Sequence, residues 1–202
     1  MQIQSSGSEV LHVEIDPGKK SGQERFIGIN SSLMDYWSWA HSDIISNSER
    51  GKLSEYIVRC AVHSASTHRV EWDEIDLISE EGIRIEVKSS AYLQSWHQRN
   101  PSTIQFDIAP KRGWSPETNL YDDKVCRHAD VYVFCLLACR DKVKANPLDM
   151  HQWEFYVLST KILDKMVPKQ KTIGLSSLLR LGAERVEFQE IHHAVKNAVG
   201  ES

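Results

Sequence analysis

The sequence predicts an α/β protein, with a mixed central sheet flanked by helices. Three observations carry that expectation. Residues 131–138 ("VYVFCLLA") form a continuous apolar run, as in a strand buried on both faces. In "GIRIEVKSS", Ile83, Ile85 and Val87 alternate with Arg84, Glu86 and Lys88, the period of a half-buried strand. In "KLSEYIVRCAV", Leu53, Tyr56, Ile57, Cys60 and Ala61 recur at helical spacing. Helical and strand signals interleave along the chain, which suits one layered α/β core.

In chain order, residues 1–25 are rich in Ser, Gly and charge and read as a flexible N-terminal arm, with a weak strand signal at 10–15. Ser31 or Ser32 caps a predicted helix with Leu33, Tyr36, Trp37, Ala40 and Ile44 on one stripe. A second helix runs from Asn47 or Ser48 to about His63. Strands are expected at 69–72, 75–79 and 83–89, the last two joined by the turn Glu80-Glu81-Gly82. Another strand is expected at 103–109, and 110–128 reads as an irregular loop with a short helix. After the apolar run come a strand at 153–158 and helices at 160–167, 175–181 (stopped by Gly182) and 189–199. With no repeats, the expectation is a single domain over residues 26–202.

A net charge of −4 excludes a globally basic surface, so any nucleic-acid site must be a local patch. Cys60, Cys126, Cys135 and Cys139 form no CxxC pair. Cys60, Cys135 and Cys139 lie in apolar runs and read as buried, reduced thiols. No early segment resembles a signal peptide and no run of about 18 apolar residues could span a membrane. The expectation is a soluble, cytoplasmic protein.

Glu-x-Lys by itself is common, since a chain this long carries about one by chance. Here Asp76 precedes it on the partner strand of the predicted hairpin, and a matching register would bring Asp76 and Glu86 within about 5–8 Å. Glu55 lies on a helix that is apolar nearly all round, where a carboxylate needs a partner. Arg59, four residues on, would make that an ordinary surface ion pair. Three carboxylates gathered without compensation repel, and one divalent cation together with Lys88 would neutralise them. Oxygen ligands select Mg²⁺ or Mn²⁺ over zinc. Such a centre suits phosphodiester hydrolysis, with Lys88 orienting the water or offsetting phosphate charge.

Glu55, Asp76, Glu86 and Lys88, in that order, resemble the PD-(D/E)xK nuclease superfamily. "RGKLSEYIV", "EWDEIDL", "IEVKSSAYLQSW" and "ADVYVF" look like a bacterial branch of it, from about Leu33 to the C-terminus. The resemblance implies a restriction endonuclease-like core (α-β-β-β-α-β, a mixed central sheet flanked by helices) with extra N- and C-terminal helices. It implies Asp76, Glu86 and the Val87 carbonyl as metal ligands, Glu55 as a ligand direct or through water, and Lys88 as the catalytic lysine. It also implies Mg²⁺, with Mn²⁺ as substitute, and DNA as partner, in restriction, repair or mobile-element defence. Ile75 stands where the superfamily often has Pro. Asp73 competes with Asp76, which is preferred because Ile75 and Leu77 flank it.

Ser89, Ser90, Tyr92, Gln94, Trp96 and, on the next strand, Gln105 are candidates for phosphate bonds and base stacking. Tyr92 and Trp96 read equally well as core or interface aromatics. Lys111, Arg112, Lys161, Lys165, Lys169 and Lys171 could meet phosphates or form a solvated face. His63, His68, His192 and His193 lack metal-ligand spacing and read as structural or exposed. Cutting both strands of a duplex calls for two active sites, which a homodimer would supply. Two other readings stay open: a nuclease fold that binds nucleic acid or a protein partner without cutting, and an unrelated α/β domain in which Glu86 and Lys88 pair on the surface.

Overall fold

A computed structural model describes residues 18–66, 68–69, 74–115 and 120–200. The strand signals at 10–15 and 70–72, and the rival acid Asp73, fall outside the described residues. In chain order the elements are α1 (Leu33–Ala40), α2 (Asn47–Ala61), β1 (Leu77–Ile78), β2 (Arg84–Ala91), β3 (Gln105–Asp107), β4 (Lys111–Ser115), β5 (Leu120–Cys126) and β6 (Val131–Leu137). They continue with β7 (Trp153–Ser159), α3 (Thr160–Met166), β8 (Thr172–Gly174), α4 (Leu175–Arg180), β9 (Glu184–Val186) and α5 (Ile191–Gly200).

Local chemistry sets the helix starts. Ser32 and Asp35 form a reciprocal capping box on α1, and the Ser46 hydroxyl accepts from the Glu49 amide at the start of α2. Helix α1 ends at Ala40, short of Ile44.

Five strands form a mixed sheet in the order β1-β2-β6-β7-β9. Only β2 and β6 run parallel; the other neighbours are antiparallel. Every residue of β6 is buried, as its unbroken apolar run predicts. Odd-numbered side chains of β6 face α2 and α5, in a core with Ile57, Val58, Val62, Phe155 and Ile191. Tyr132, Phe134 and Leu136 face the other way, into a second core closed by Phe106, Ile108, Leu163, Ile173 and Leu178. The result is α/β with helices on the sheet, as expected. Among the described residues the crossover from β2 to β6 carries three strands and no helix, unlike the α-β-β-β-α-β order.

Three local expectations are corrected. Residues 110–128 contain the antiparallel pair β4–β5, not an irregular loop with a helix. Its Tyr121 and Val125 are exposed, so no buried face stamped an alternation on the sequence. On α2 the buried side chains are Arg50, Ser54, Ile57 and Val58, while Tyr56 and Cys60 face solvent. With apolar residues on two sides of that helix, spacing alone did not select the inner one. Cys139 is half-exposed, and only Cys135 of the three thiols expected to be buried is enclosed. Burial, with the Asp76 charge nearby, pushes its thiol far above the ordinary range.

Candidate active site

The turn after β1 fixes the geometry of the site. Gly82 takes a φ of +83°, a left-handed conformation that favours glycine, and its amide donates to the Ser79 carbonyl (3.0 Å). The resulting register pairs Leu77 with Ile85 and Ile78 with Arg84. One step further sets Asp76 opposite Glu86. Asp76 lies just before β1, and its Oδ2 accepts a hydrogen bond from the Val87 amide at 2.7 Å. Since a strand residue's N–H and C=O share one edge, the Val87 carbonyl lies on the edge that Asp76 caps. Beyond Ile85 no strand among the described residues pairs with that edge of β2. Among the described residues, that edge carries no strand partner where Glu86, Lys88 and Ser90 follow one another.

Glu86 is buried, and the Lys88 ammonium pairs with its Oε1 at 2.5 Å. Lys111, from β4, reaches the same oxygen at 3.6 Å and Asp107 at 4.0 Å. Burial, then the charge of Glu86, then that of Glu55 push the Asp76 carboxyl up to about 6, against the pull of Lys88 and the Val87 amide. Burial alone would lower the Lys88 pKa, but the charges of Glu86 and Asp76 overrule it and raise it. Lys88 is thus a cation at neutral pH, set among carboxylates whose negative charge it does not balance.

Glu55 has a different partner from the Arg59 four residues on: Arg69 binds both of its oxygens, at 2.5 and 3.3 Å. Glu55 lines two cavities. One, of about 310 Å³, holds Asp76, Lys19, Lys52, Arg59 and Arg69, with the exposed ring of Tyr56 at its wall. The other is a cleft of about 490 Å³ lined by Lys88, Ser89, Ser90, Gln94 and Gln105 as well as Asn47, Arg50 and Ser102. Cations therefore gather locally on a chain of net negative charge, an arrangement that admits a polyanion.

The structure brings Glu55, Asp76, Glu86 and Lys88 into one electrostatically coupled group, with Ser89, Ser90, Gln94 and Gln105 along the adjoining cleft. Tyr92 and Trp96 do not line that cleft. The Tyr92 ring packs on the second core under the Arg140 guanidinium, 3.8 Å away, and Trp96 stands exposed in a bend beyond β2. Lys161, Lys165, Lys169 and Lys171 are exposed on α3 and the segment after it, whereas Lys111 joins the Glu86 cluster. His63 and His192 meet edge to face at 5.3 Å, and Glu81 takes His192 and Lys196 as partners at 2.8 and 3.0 Å. Sequence reasoning missed Asp107, Arg50 and Arg69. Asp107 was legible: Gln105 and Asp107 alternate with Ile104, Phe106 and Ile108, which are buried. Arg50 and Arg69 carried no such signal.

No curated protein matches the chain. The family model described as bacteriophage T4 endonuclease IV matches residues 25–177, a span that begins where the predicted arm ends and holds all four residues of the coupled group. That span is well over half of the chain, so the protein belongs to the bacteriophage T4 endonuclease IV family, and by that membership is a nuclease.

Proposed function

We propose that the protein hydrolyses DNA phosphodiester bonds at the corner formed by Asp76, Glu86 and Lys88, with a divalent cation and in the manner of the PD-(D/E)xK nucleases. One observation carries this reading: the Asp76 carboxylate, the Glu86–Lys88 pair and the backbone of Val87, whose amide Asp76 binds, meet just beyond the β1–β2 pairing. The hairpin bearing the acids, the preceding α2 and the parallel neighbour β6 also support it.

Among the described residues no three His, Cys, Asp or Glu side chains form a group able to hold a metal ion by themselves. Two carboxylates and a main-chain carbonyl remain, all hard oxygen donors of the kind that Mg²⁺ takes while keeping several waters. Asp76, Glu86 and the Val87 carbonyl would hold the ion, with Glu55, whose two oxygens Arg69 binds, reaching it through water. Mg²⁺, or Mn²⁺ in its place, lowers the pKa of a bound water and stabilises charge developing on phosphate.

The chain's own residues do the rest. Lys88 keeps its proton because Glu86 and Asp76 stabilise the ammonium, so it offsets charge on the scissile phosphate and orients the incoming water. Lys111 adds a second, more exposed cation on the same side. Water attacks phosphorus and gives up a proton to solvent, a P–O ester bond breaks, and the departing oxygen takes up a proton from solvent.

The test is incubation of purified protein with linear, supercoiled and single-stranded DNA, and with RNA, in Mg²⁺, Mn²⁺ or EDTA. Cleavage of DNA that vanishes in EDTA and falls at least about 100-fold in Lys88→Ala is the expected outcome. Cleavage that persists in EDTA or in the variant sinks the mechanism. Binding of DNA without cleavage of any substrate favours a binding module on the same fold.

A further inference from the structure

Two arginines are buried among the described residues, and they differ in one respect. Arg127 has a carboxylate: its Nη1 donates to Asp164 at 2.6 Å, and its Nε and Nη2 donate to the backbone carbonyls of Ile108, Val167 and Gln170. Arg50, only 3% exposed, has none. Its acceptors are the Ile45 carbonyl, Gln94 Oε1, Asn47 Oδ1 and Ser89 Oγ, all neutral. Burial lowers its pKa with no opposing charge to restore it. A buried guanidinium with neutral partners only is a standing positive charge that no acidic side chain among the described residues pairs with.

The partners of Arg50 are constrained in turn. An oxygen that accepts from Arg50 leaves its own hydrogen, or the amide beside it, to donate elsewhere. Asn47 gives its carbonyl oxygen to Arg50, so its amide nitrogen is left for the cleft. Ser89 accepts from Arg50 and keeps its O–H. Ser102 accepts from both Gln94 Nε2 and Gln98 Nε2, which leaves that hydroxyl only a hydrogen to offer. Gln94 is fully used: Oε1 takes Arg50, and Nε2 serves Ala91 and Ser102. It is a brace between the other groups.

Gly51 is an independent sign. It sits inside α2, where glycine weakens a helix, and it lines the same cleft. A Cβ built there would meet no atom within 4 Å, so nothing in the fold requires glycine. The space it leaves open belongs to the cleft, between Asn47 and Glu55.

We propose that Asn47, Ser89 and Ser102, backed by the buried Arg50 and cleared by Gly51, bind the phosphodiester next to the one that is cut. The proposal rests on the nuclease reading for the word "cut" and on nothing else in it. Arg50 is a positioning residue: it turns Asn47 and Ser89 into donors directly and acts on Ser102 through Gln94, and it supplies the charge that an anion cancels. A chain of phosphates entering over Gly51 then meets Lys88, which lines the same cleft beside Ser89.

Binding without catalysis isolates the subsite. A fluorescein-labelled 12-nucleotide DNA, as single strand and as duplex, is titrated in EDTA against wild type, Gly51→Leu, Asn47→Ala/Ser89→Ala and Arg50→Gln. Gly51→Leu places a good helix former where there is room, so it keeps the fold even if Arg50→Gln does not. Each variant is expected to weaken binding about tenfold, the equivalent of one well-made contact. Arg50→Gln is also expected to flatten the dependence of log K on log salt by about one unit, which a merely structural role would not do. Wild-type affinity in Gly51→Leu and Asn47→Ala/Ser89→Ala overturns the subsite, as does a wild-type protein that binds neither DNA. If Lys88→Ala abolishes cleavage while these variants bind normally, the subsite falls and the nuclease reading stands. If the protein never cuts but binding shows these dependences, the subsite stands and the nuclease reading falls.

Discussion

The two ends of β2 carry the same kinds of side chain in opposite electrostatic states. At its start Arg84 meets Asp130 through Nη2 (2.8 Å) and Nε (3.3 Å), and the Arg84 amide adds a third bond to Asp130. That pair is substantially exposed, and the bonds from Arg84 hold the Asp130 carboxyl below its ordinary range. Four residues on, Lys88 meets Glu86 where both are largely buried and a second acid, Asp76, has been pushed up to about 6. An acid satisfied by its surroundings has its pKa lowered; one placed for another purpose has it raised. The contrast falls at the end of the strand where the proposed site lies.

The largest expected effect breaks the two ends apart by activity. Glu86→Gln keeps the side chain's shape and removes the charge that Lys88 faces, and is expected to cut DNA cleavage by about 100-fold or more in kcat. Asp130→Asn is expected to change cleavage by less than about twofold, since Asp130 does not line the cleft. Equal losses in both variants, measured as single-turnover rates at saturating DNA, would show that β2 acts as one structural unit and that the contrast has no catalytic meaning.

Stability separates the ends with opposite signs. An acid whose folded pKa lies above its unfolded value binds its proton more tightly when folded. Its contribution to stability is therefore complete below pH 4 and is lost as pH rises from about 4 to about 6, the interval between the ordinary Asp value and that of Asp76. Asp76→Asn escapes this loss and can still accept from the Val87 amide through its side-chain oxygen. At pH 7.5 in EDTA the variant should be more stable by about 1–3 kcal/mol, or about 2–8 °C in Tm, while losing cleavage. At pH 4 the gain should disappear. Denaturant titrations at the two pH values check this, and a gain independent of pH would remove the assignment of Asp76 as the strained acid.

Burial made some of these relations legible in the sequence and its absence hid others. The run from Val131 to Leu137 was readable because both faces of β6 are packed, and nothing but apolar residues survives there. The Asp76–Glu86 relation was readable because Gly82 permits a tight turn and so restricts the register. The inner side of α2 was not, since Tyr56 and Cys60 offered a second apolar side that in fact meets solvent. The β4–β5 pair left no pattern because Tyr121 and Val125 are exposed. Arg50 was hidden for a further reason: a basic residue in the first turns of a helix reads as solvated, and only the fold shows it buried against Ser89 and Gln94, about forty residues away in sequence.

The smallest effect tests the quiet end of the strand by itself. Arg84→Ala removes a guanidinium whose side chain is 53% exposed, so screening and side-chain entropy offset most of the pair's attraction and the cost should be no more than about 1 kcal/mol. The main-chain bond from the Arg84 amide to Asp130 survives the substitution and keeps the start of β2 in place. Because Asp130 is held below its ordinary pKa, its contribution to stability is present above about pH 4 and is lost as pH falls. The cost of Arg84→Ala should thus shrink in acid and in 1 M salt, fading over the same low-pH side as the Asp76→Asn gain but with the opposite sign. Denaturation midpoints at pH 7.5, at pH 3.5 and in high salt measure it. A loss of 2–3 kcal/mol insensitive to all three conditions would mean that Arg84 is held by packing, and that the two ends of β2 differ less in their electrostatics than in what covers them.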